Sequence, residues 1–465
     1  MPNLTVGPTS VYQSISAAMQ VAGPGDTIIL ETGYSNETAT VNFTNMTING
    51  SVGSSGIKLV LAVGVPTVTL TGTAPISIFD ALDGNGIVGN AGDNRITVSG
   101  GVDAVDGGLG MDRLIVNYVH ATGAVTGDST SNFTEAGGGG RSVTVTDGTI
   151  ENFTILTGSG ADTITTGAGN DFIKTGNGAG TINAGQGSNT IITGHNADTI
   201  TALDGGNFIN AGNGKNTITS GGGDDIIQTG INSDTITAGG GNDRITLRGG
   251  TDSANAGAGI DLLIIDYSRD TLDVVGGITG GNLKTGYVGH LDDGNLNIIN
   301  FQTSERFAIT TGRGNDHIRT GNGTDVLSGG IGRDVLTAGG GDDKVFGGAG
   351  ADRLIGGAGD DILTGGAGAD HFVFRSVATA FTTADDTIKG FGHGMDVINL
   401  SGIDADSHTI GDQAFHFIGD QLFSQTGDLR YHLGVISGDT DGDGLADFSI
   451  RIANDAVLTQ SDFNL

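Results

Sequence analysis

Seven aspartates recur every nine residues late in the chain: Asp316, Asp325, Asp334, Asp343, Asp352, Asp361 and Asp370. Glycine stands four and two places before each of them. A large apolar residue stands two places after: Ile318, Leu327, Leu336, Val345, Leu354, Leu363 and Phe372. Carboxylates and the carbonyls of glycine-rich turns are hard oxygen ligands, so the spacing is one that holds a hard divalent cation. The last three places of each nine make a minimal strand, with the eighth residue facing inward. The first six make a turn tight enough to need glycine's positive φ. Two nines, eighteen residues, then close one coil of a flattened solenoid. Stacked coils lie about 4.8 Å apart, which puts Asp352 between Asp334 and Asp370. Bare carboxylates at that separation repel by roughly 3–4 kcal/mol per pair at an effective dielectric near 20, and a cation between them removes the penalty.

The same period organises most of the chain. A short degenerate array covers 80–115, with Ile87, Ile96, Val105 and Leu114 in the core place. Twelve nines without a slip follow at 157–264. Their acid column is less regular, because Gly180, Asn189, Asn207 and Asn216 stand where Asp is expected. Pairs of acids eighteen apart are Asp225/Asp243, Asp234/Asp252 and Asp243/Asp261, so metal is expected in the second half of this array. The first half would be joined by neutral amides, as in an Asn ladder.

This glycine-aspartate nonapeptide resembles the RTX (repeats-in-toxin) family, whose repeat is a calcium-binding β-helix unit. The resemblance implies several calcium ions, held by the acids at Asp225, Asp234, Asp243, Asp252 and Asp261 and by the seven from Asp316 to Asp370. The stretch 386–404, with 414–419, 427–431 and 438–448, resembles the segment that closes the β-roll of serralysin-type secreted proteins. That likeness implies an uncleaved C-terminal export signal read by type I secretion machinery, here ending Asp462-Phe-Asn-Leu465. It implies a secreted, extracellular or cell-surface protein of a Gram-negative bacterium. The opening MPNLTVGPTS has neither the basic nor the apolar region of a cleaved signal peptide, which agrees.

Composition narrows the function. The chain has 465 residues, 87 Gly, 52 acids against 20 bases and a net charge of −32. Such charge argues against nucleic acid or an anionic membrane as partner. No apolar run approaches the roughly 18 residues of a membrane span. The absence of Cys excludes a disulfide framework and thiol chemistry. With so much Gly and Asp to order, the chain should be largely unfolded without metal. There is no HExxH and no G-x-S-x-G. Alginate epimerases also join a β-helix module to RTX repeats, so a polysaccharide-modifying enzyme of the epimerase or lyase type is the enzymatic alternative. Their catalytic module is several times longer than the pre-repeat segment here, which holds no His and two Tyr.

The remaining segments must carry the arrays. One amphipathic helix is expected over 10–22, with Ile15, Ala18 and Met19 on one face, then strands at 27–30, 39–43, 47–49, 58–62, 68–71 and 76–79. Together these resemble the helical cap and first coils of right-handed β-helix proteins. Two inserts mirror each other: 107–118 parallels 256–267, and each leads to Asn-Phe and back to Thr-Gly. Each is expected to be a β-hairpin bulging from the solenoid, with Tyr118 and Tyr267 as packing residues. Asp439, Asp441, Asp443 and Asp447 match the first part of an EF-hand loop, but Ile450 stands where its Glu belongs, so a calcium site and a merely acidic turn both fit.

The expected fold is all-β, a right-handed parallel β-roll or β-helix solenoid with a short N-terminal helical cap and a β-rich C-terminal domain. Its expected segments are a cap (1–79), a short array (80–115), an insert (116–156), the long array (157–264), a second insert (265–310), the calcium-rich array (311–373) and a secretion domain (374–465). The expected function is a secreted calcium-binding structural or adhesive protein of a surface layer or matrix. Outward places seven and nine on one sheet give Thr163/Thr165, Thr181, Thr199/Thr201, Thr217/Thr219 and Thr235/Thr237. Such a grid of hydroxyls and methyls is a docking face for an ordered surface, with a second copy, a polysaccharide or ice as alternatives, or simply a favourable strand surface.

Overall fold

The computed structural model describes residues 2–80, 83–137, 139–295, 297–375, 385–454 and 456–465. Residues 376–384, at the start of the expected secretion domain, lie outside the described residues. The chain forms two compact units, Met1–Gly230 and Ile231–Leu465. Each is a β-roll solenoid built from two parallel-dominated sheets.

In the first unit, one sheet stacks Asn3–Val6, Thr27–Leu30, Met46–Gly50, Thr67–Gly72, Gly86–Val88 and Val102–Asp106 in parallel. The other stacks Thr38–Val41, Ile57–Leu61, Ile76–Phe79, Arg95–Val98, Arg113–Asn117 and Asn152–Leu156. The nonapeptide strands then alternate between the sheets, three residues each, in register at eighteen: Ile164 on Ile182 on Ile200 on Ile218, and Ile173 on Ile191 on Ile209 on Ile227. All eight are at most 1% exposed, while their neighbours on both sides face outward. The core is thus a column of β-branched side chains, one per half-coil.

The helix is shorter than its pattern. Only Ile15–Met19 is helical, with Ile15, Ala18 and Met19 buried as expected. The preceding residues are held otherwise: Tyr12 bridges to Val6, and the Glu31 carboxylate accepts the Thr9 hydroxyl at 2.8 Å. Glu37 then accepts the N–H groups of Ile15 and Ser16 at 2.7 and 3.0 Å, fixing the start.

The inserts do not bulge outward. In the first, Val125–Asp128, Asn132–Glu135 and Ser142–Val145 form an antiparallel meander lying within the sheet, joined in parallel to Val102–Asp106 on one side and to Thr163–Thr165 on the other. The second unit repeats this topology with Val275–Asn282, Gly286–Asp292 and Ile298–Ser304, between Thr251–Ala258 and His317–Arg319. The strands are better hidden this way: the outer two of each meander pair with a coil and the middle one pairs with both of them, so each described strand is hydrogen-bonded on both sides. Tyr118 and Tyr267 are buried beneath them.

Beyond its insert, the second unit stacks Val335–Gly340 and Arg353–Ala358 in one sheet and Val326–Ile331, Lys344–Ala349 and Ile362–Ala367 in the other. These strands run six residues, through the first three places of the next nine. The final coils add Val397–Asn399 and Phe463–Asn464 to one sheet, and Asp385–Lys389 and Phe448–Ile452 to the other. The buried Asp462 carboxylate pins the C-terminal end by accepting the Gly394 and Thr459 N–H groups at 3.1 and 2.7 Å, with His393 Nδ1 at 2.9 Å.

Candidate metal centre

Every sixth-place acid of the expected set, from Asp225 to Asp261 and from Asp316 to Asp370, is at most 1% exposed. The turn brings each beneath the next coil, and a ladder forms down each edge. On one edge the N–H groups of Asp316, Asp334 and Asp352 donate to Oδ1 of Asp334, Asp352 and Asp370 at 2.8, 2.9 and 3.0 Å. On the other, Asp325 and Asp343 donate to Asp343 and Asp361 at 2.7 and 3.0 Å. In the long array Asp234 donates to Asp252 and Asp243 to Asp261, both at 2.8 Å.

One oxygen of each carboxylate is thereby used. The other, Oδ2, is buried with no donor at Asp252, Asp334, Asp343, Asp352, Asp361 and Asp370. Burial pushes these acids up, the single N–H bond pulls them partly back, and the next carboxylate pushes again. Asp343 rises to about 9, Asp252, Asp334 and Asp361 to about 7, and Asp352 to about 6. A cation at Oδ2 would remove both the desolvation and the repulsion.

The protein shows what such a cation would touch, because Asn fills the same place in the long array. Asn189 keeps the ladder bond, accepting the Asp171 N–H at 3.0 Å. Its amide donates to the Gly187 carbonyl at 3.0 Å, and the Asn207 amide donates to the carbonyls of Leu203 and Gly205 at 3.1 and 2.7 Å. These carbonyls belong to the second and fourth places of the same turn. Where the residue is Asp, those carbonyls and Oδ2 form an all-oxygen set that suits calcium. For Asp352 the partners would be the carbonyls of Gly348 and Gly350.

The first place of the nine decides whether the notch is open. Thr311 and Thr320 reach across and donate to the carbonyls of Gly329 and Ala338 at 2.7 and 2.8 Å, beside the carboxylates of Asp316 and Asp325. Thr166 and Thr193 do the same at 3.0 Å to Ala184 and Ala211. At Gly347 a Cβ would sit 2.5 Å from Asp352 Oδ2, so glycine there keeps the cradle empty of protein.

The ladder also includes Asp103, Asp112, Asp162, Asp171 and Asp198 of the nonapeptides, and acids that stand outside the nine-residue motif. Glu151 and Glu305 accept the N–H groups of Asp112 and Asp261 at 2.6 and 2.9 Å, carrying the ladder across the inserts. Asp386 and Asp396 close the two edges, accepting from Asp361 and Asp370 at 2.9 and 3.0 Å. Each stands two residues before a core apolar residue, Phe153, Phe307, Ile388 or Ile398. That acid-x-apolar signal was available without the glycines.

The C-terminal acidic loop brings together ligand atoms of Asp439, Asp441 and Asp447 within 4.8 Å. Asp443 is not among them; its Oδ1 accepts the Leu445 N–H at 2.8 Å in a local turn. Asp439 accepts the N–H groups of Gly442 and Gly444 at 2.6 and 2.9 Å, and Asp447 binds Thr440, so the loop satisfies itself. The threonines Thr163, Thr181, Thr199, Thr217, Thr219, Thr235 and Thr237 are exposed, and Thr165 and Thr201 half-buried, on outward strand faces.

Residues 83–114, 156–191, 174–209, 192–227, 228–263, 308–336 and 337–372 match the family model described as the RTX calcium-binding nonapeptide repeat, in four copies. No curated protein matches the chain.

Proposed function

From a chain that carries RTX calcium-binding nonapeptide repeats along much of its length, we propose a secreted protein with a structural or adhesive role in a surface layer or extracellular matrix. It leaves the cell unfolded through type I secretion machinery and folds outside, where calcium is millimolar. The observation that carries this reading is the ladder of buried carboxylates whose Oδ2 atoms have no donor, at Asp334, Asp343, Asp352, Asp361 and Asp370. Charges placed so are tolerable in the presence of a cation and costly in its absence, which couples folding to the calcium of the compartment. Asp252 joins the set in the long array. Fractionation of producing cells tests the reading. The chain should be found in the surface or matrix fraction and be released by a chelator in unfolded form. Recovery from the cytoplasm as a folded protein would overturn it.

A further inference from the structure

The first unit carries a hydroxyl column longer than its nonapeptides. On the outward face, Ser142 pairs with Thr134, Thr134 with Thr126 and Thr126 with Thr163, and the column continues at eighteen-residue spacing to Thr217. Seven successive strands thus present a hydroxyl in register, and Ser142 Oγ lies 3.0 Å from Thr134 Oγ1. Three of the seven belong to the antiparallel insert, whose sequence owes nothing to the nine-residue motif. The flanking column holds a single charge, Asp128, already bound by Thr130 and Ser131 at 2.8 and 2.9 Å.

Topology alone does not produce this surface. The second insert has the same strand order, and its equivalent positions are Ile298, Asp292, Val275 and His317. None carries a hydroxyl. Within the first unit, the opposite sheet of the same coils shows Phe172, Thr190, Phe208 and Ile226.

We propose that this face docks against the same face of a second copy of the chain. The surface repeats at about 4.8 Å along the coils, and another copy has that period by construction, so every row meets a row. Two chains at −32 repel over most of their surface, and this strip is one that they can approach through. Small β-branched and hydroxyl side chains interdigitate closely between facing sheets. Seven strands span about 34 Å and the strip is about 10 Å wide, so roughly 340 Å² per partner is covered, below the roughly 800 Å² of a stable complex. The contact is therefore weak in dilute solution and forms where copies are crowded and held by other contacts. It rests on the surface-layer reading for that crowding alone.

The chain has no Cys, so single cysteines report the contact directly. Thr199→Cys, in millimolar calcium under mild oxidation, should form disulfide dimers at least about tenfold faster than Lys174→Cys on the opposite sheet. The rate should rise with salt, which screens like charges. Thr181→Lys added to Thr199→Cys should abolish the difference while calcium-induced β structure, followed by circular dichroism, is retained. Equal rates for Thr199→Cys and Lys174→Cys overturn the proposal, and this comparison needs no lysine variant to fold. Binding of a glycan or inhibition of ice growth that Thr181→Lys removes, with no cross-linking preference, also overturns it. A chain that folds without calcium would sink the calcium reading and leave the cross-linking result interpretable.

Discussion

Asp352→Asn should make the protein more stable without calcium and less stable with it. The substitution keeps the shape and the ladder bond, since Asn can still accept the Asp334 N–H now held at 2.9 Å. The new amide reaches the Gly348 and Gly350 carbonyls as that of Asn207 reaches Leu203 and Gly205. Two repulsions disappear, with Asp334 and Asp370, each about 3.5 kcal/mol when fully ionised at 4.8 Å and a dielectric near 20. Burial already holds Asp352 at about 6 and Asp334 at about 7, so part of that charge is neutralised by protons at neutral pH. The gain in chelator is therefore about 2–4 kcal/mol. In calcium the variant loses a ligand and binds one or two fewer ions, so its stabilisation by calcium shrinks. Urea unfolding by circular dichroism, in excess chelator and in millimolar calcium, measures both. Destabilisation in both conditions would refute the reasoning, because the carboxylate would then be contributing something other than a cation site.

Asp352→Ala, which leaves the Asp334 N–H without its acceptor and removes an Oδ2 that has no donor, should weaken calcium-induced folding at least tenfold in midpoint. Asp162→Ala also orphans an N–H, that of Val125, but both Asp162 oxygens are taken, by that N–H and by the Thr157 hydroxyl, so it should lower stability with and without calcium alike, and equilibrium titration separates the two. Gly347→Thr would bring a Cβ to 2.5 Å from Asp352 Oδ2 and 2.7 Å from the Gly365 carbonyl, so the carboxylate must move out of the notch; the number of bound ions should fall by about one in equilibrium dialysis, with some loss of stability. The pH dependence follows from the raised acids. The folded values, about 7 for Asp334 and Asp361 and about 9 for Asp343, lie above the unfolded value near 4. The metal-free fold therefore takes up protons: its stability from these groups is full below about pH 4 and is lost as pH rises through 7–9. Protons and calcium compete, so the calcium midpoint should climb as pH falls from 8 to 6, and a midpoint independent of pH would contradict the ladder.

Much of this architecture was open to reading because one period controls it. The eighth place faces inward at Ile164 and at Leu354 alike, and the strands Thr27–Leu30 and Ile76–Phe79 lie where their alternation puts them. The inserts were harder for a physical reason: Val102 pairs with Ser142, forty residues on, and no local pattern distinguishes a hairpin within a sheet from one outside it. The helix over 10–22 begins only at Ile15 because Glu31, about twenty residues away, holds Thr9 and Ser10 and Glu37 caps the N–H groups of Ile15 and Ser16. In the metal centre the acids are plain in the sequence, but the role of the first place is not. Thr or Gly there decides whether the protein fills its own notch, and only the stacked geometry reveals that the hydroxyl of Thr320 reaches the carbonyl of Ala338.

The central claim is that calcium completes the fold. Calcium titrated into the chelated protein should convert a coil-like circular dichroism spectrum to a β spectrum, cooperatively, at roughly 0.1–1 mM, and magnesium at the same concentrations should fail because it demands tight octahedral geometry. A full β spectrum in excess chelator at pH 8, unchanged by calcium, would contradict the account.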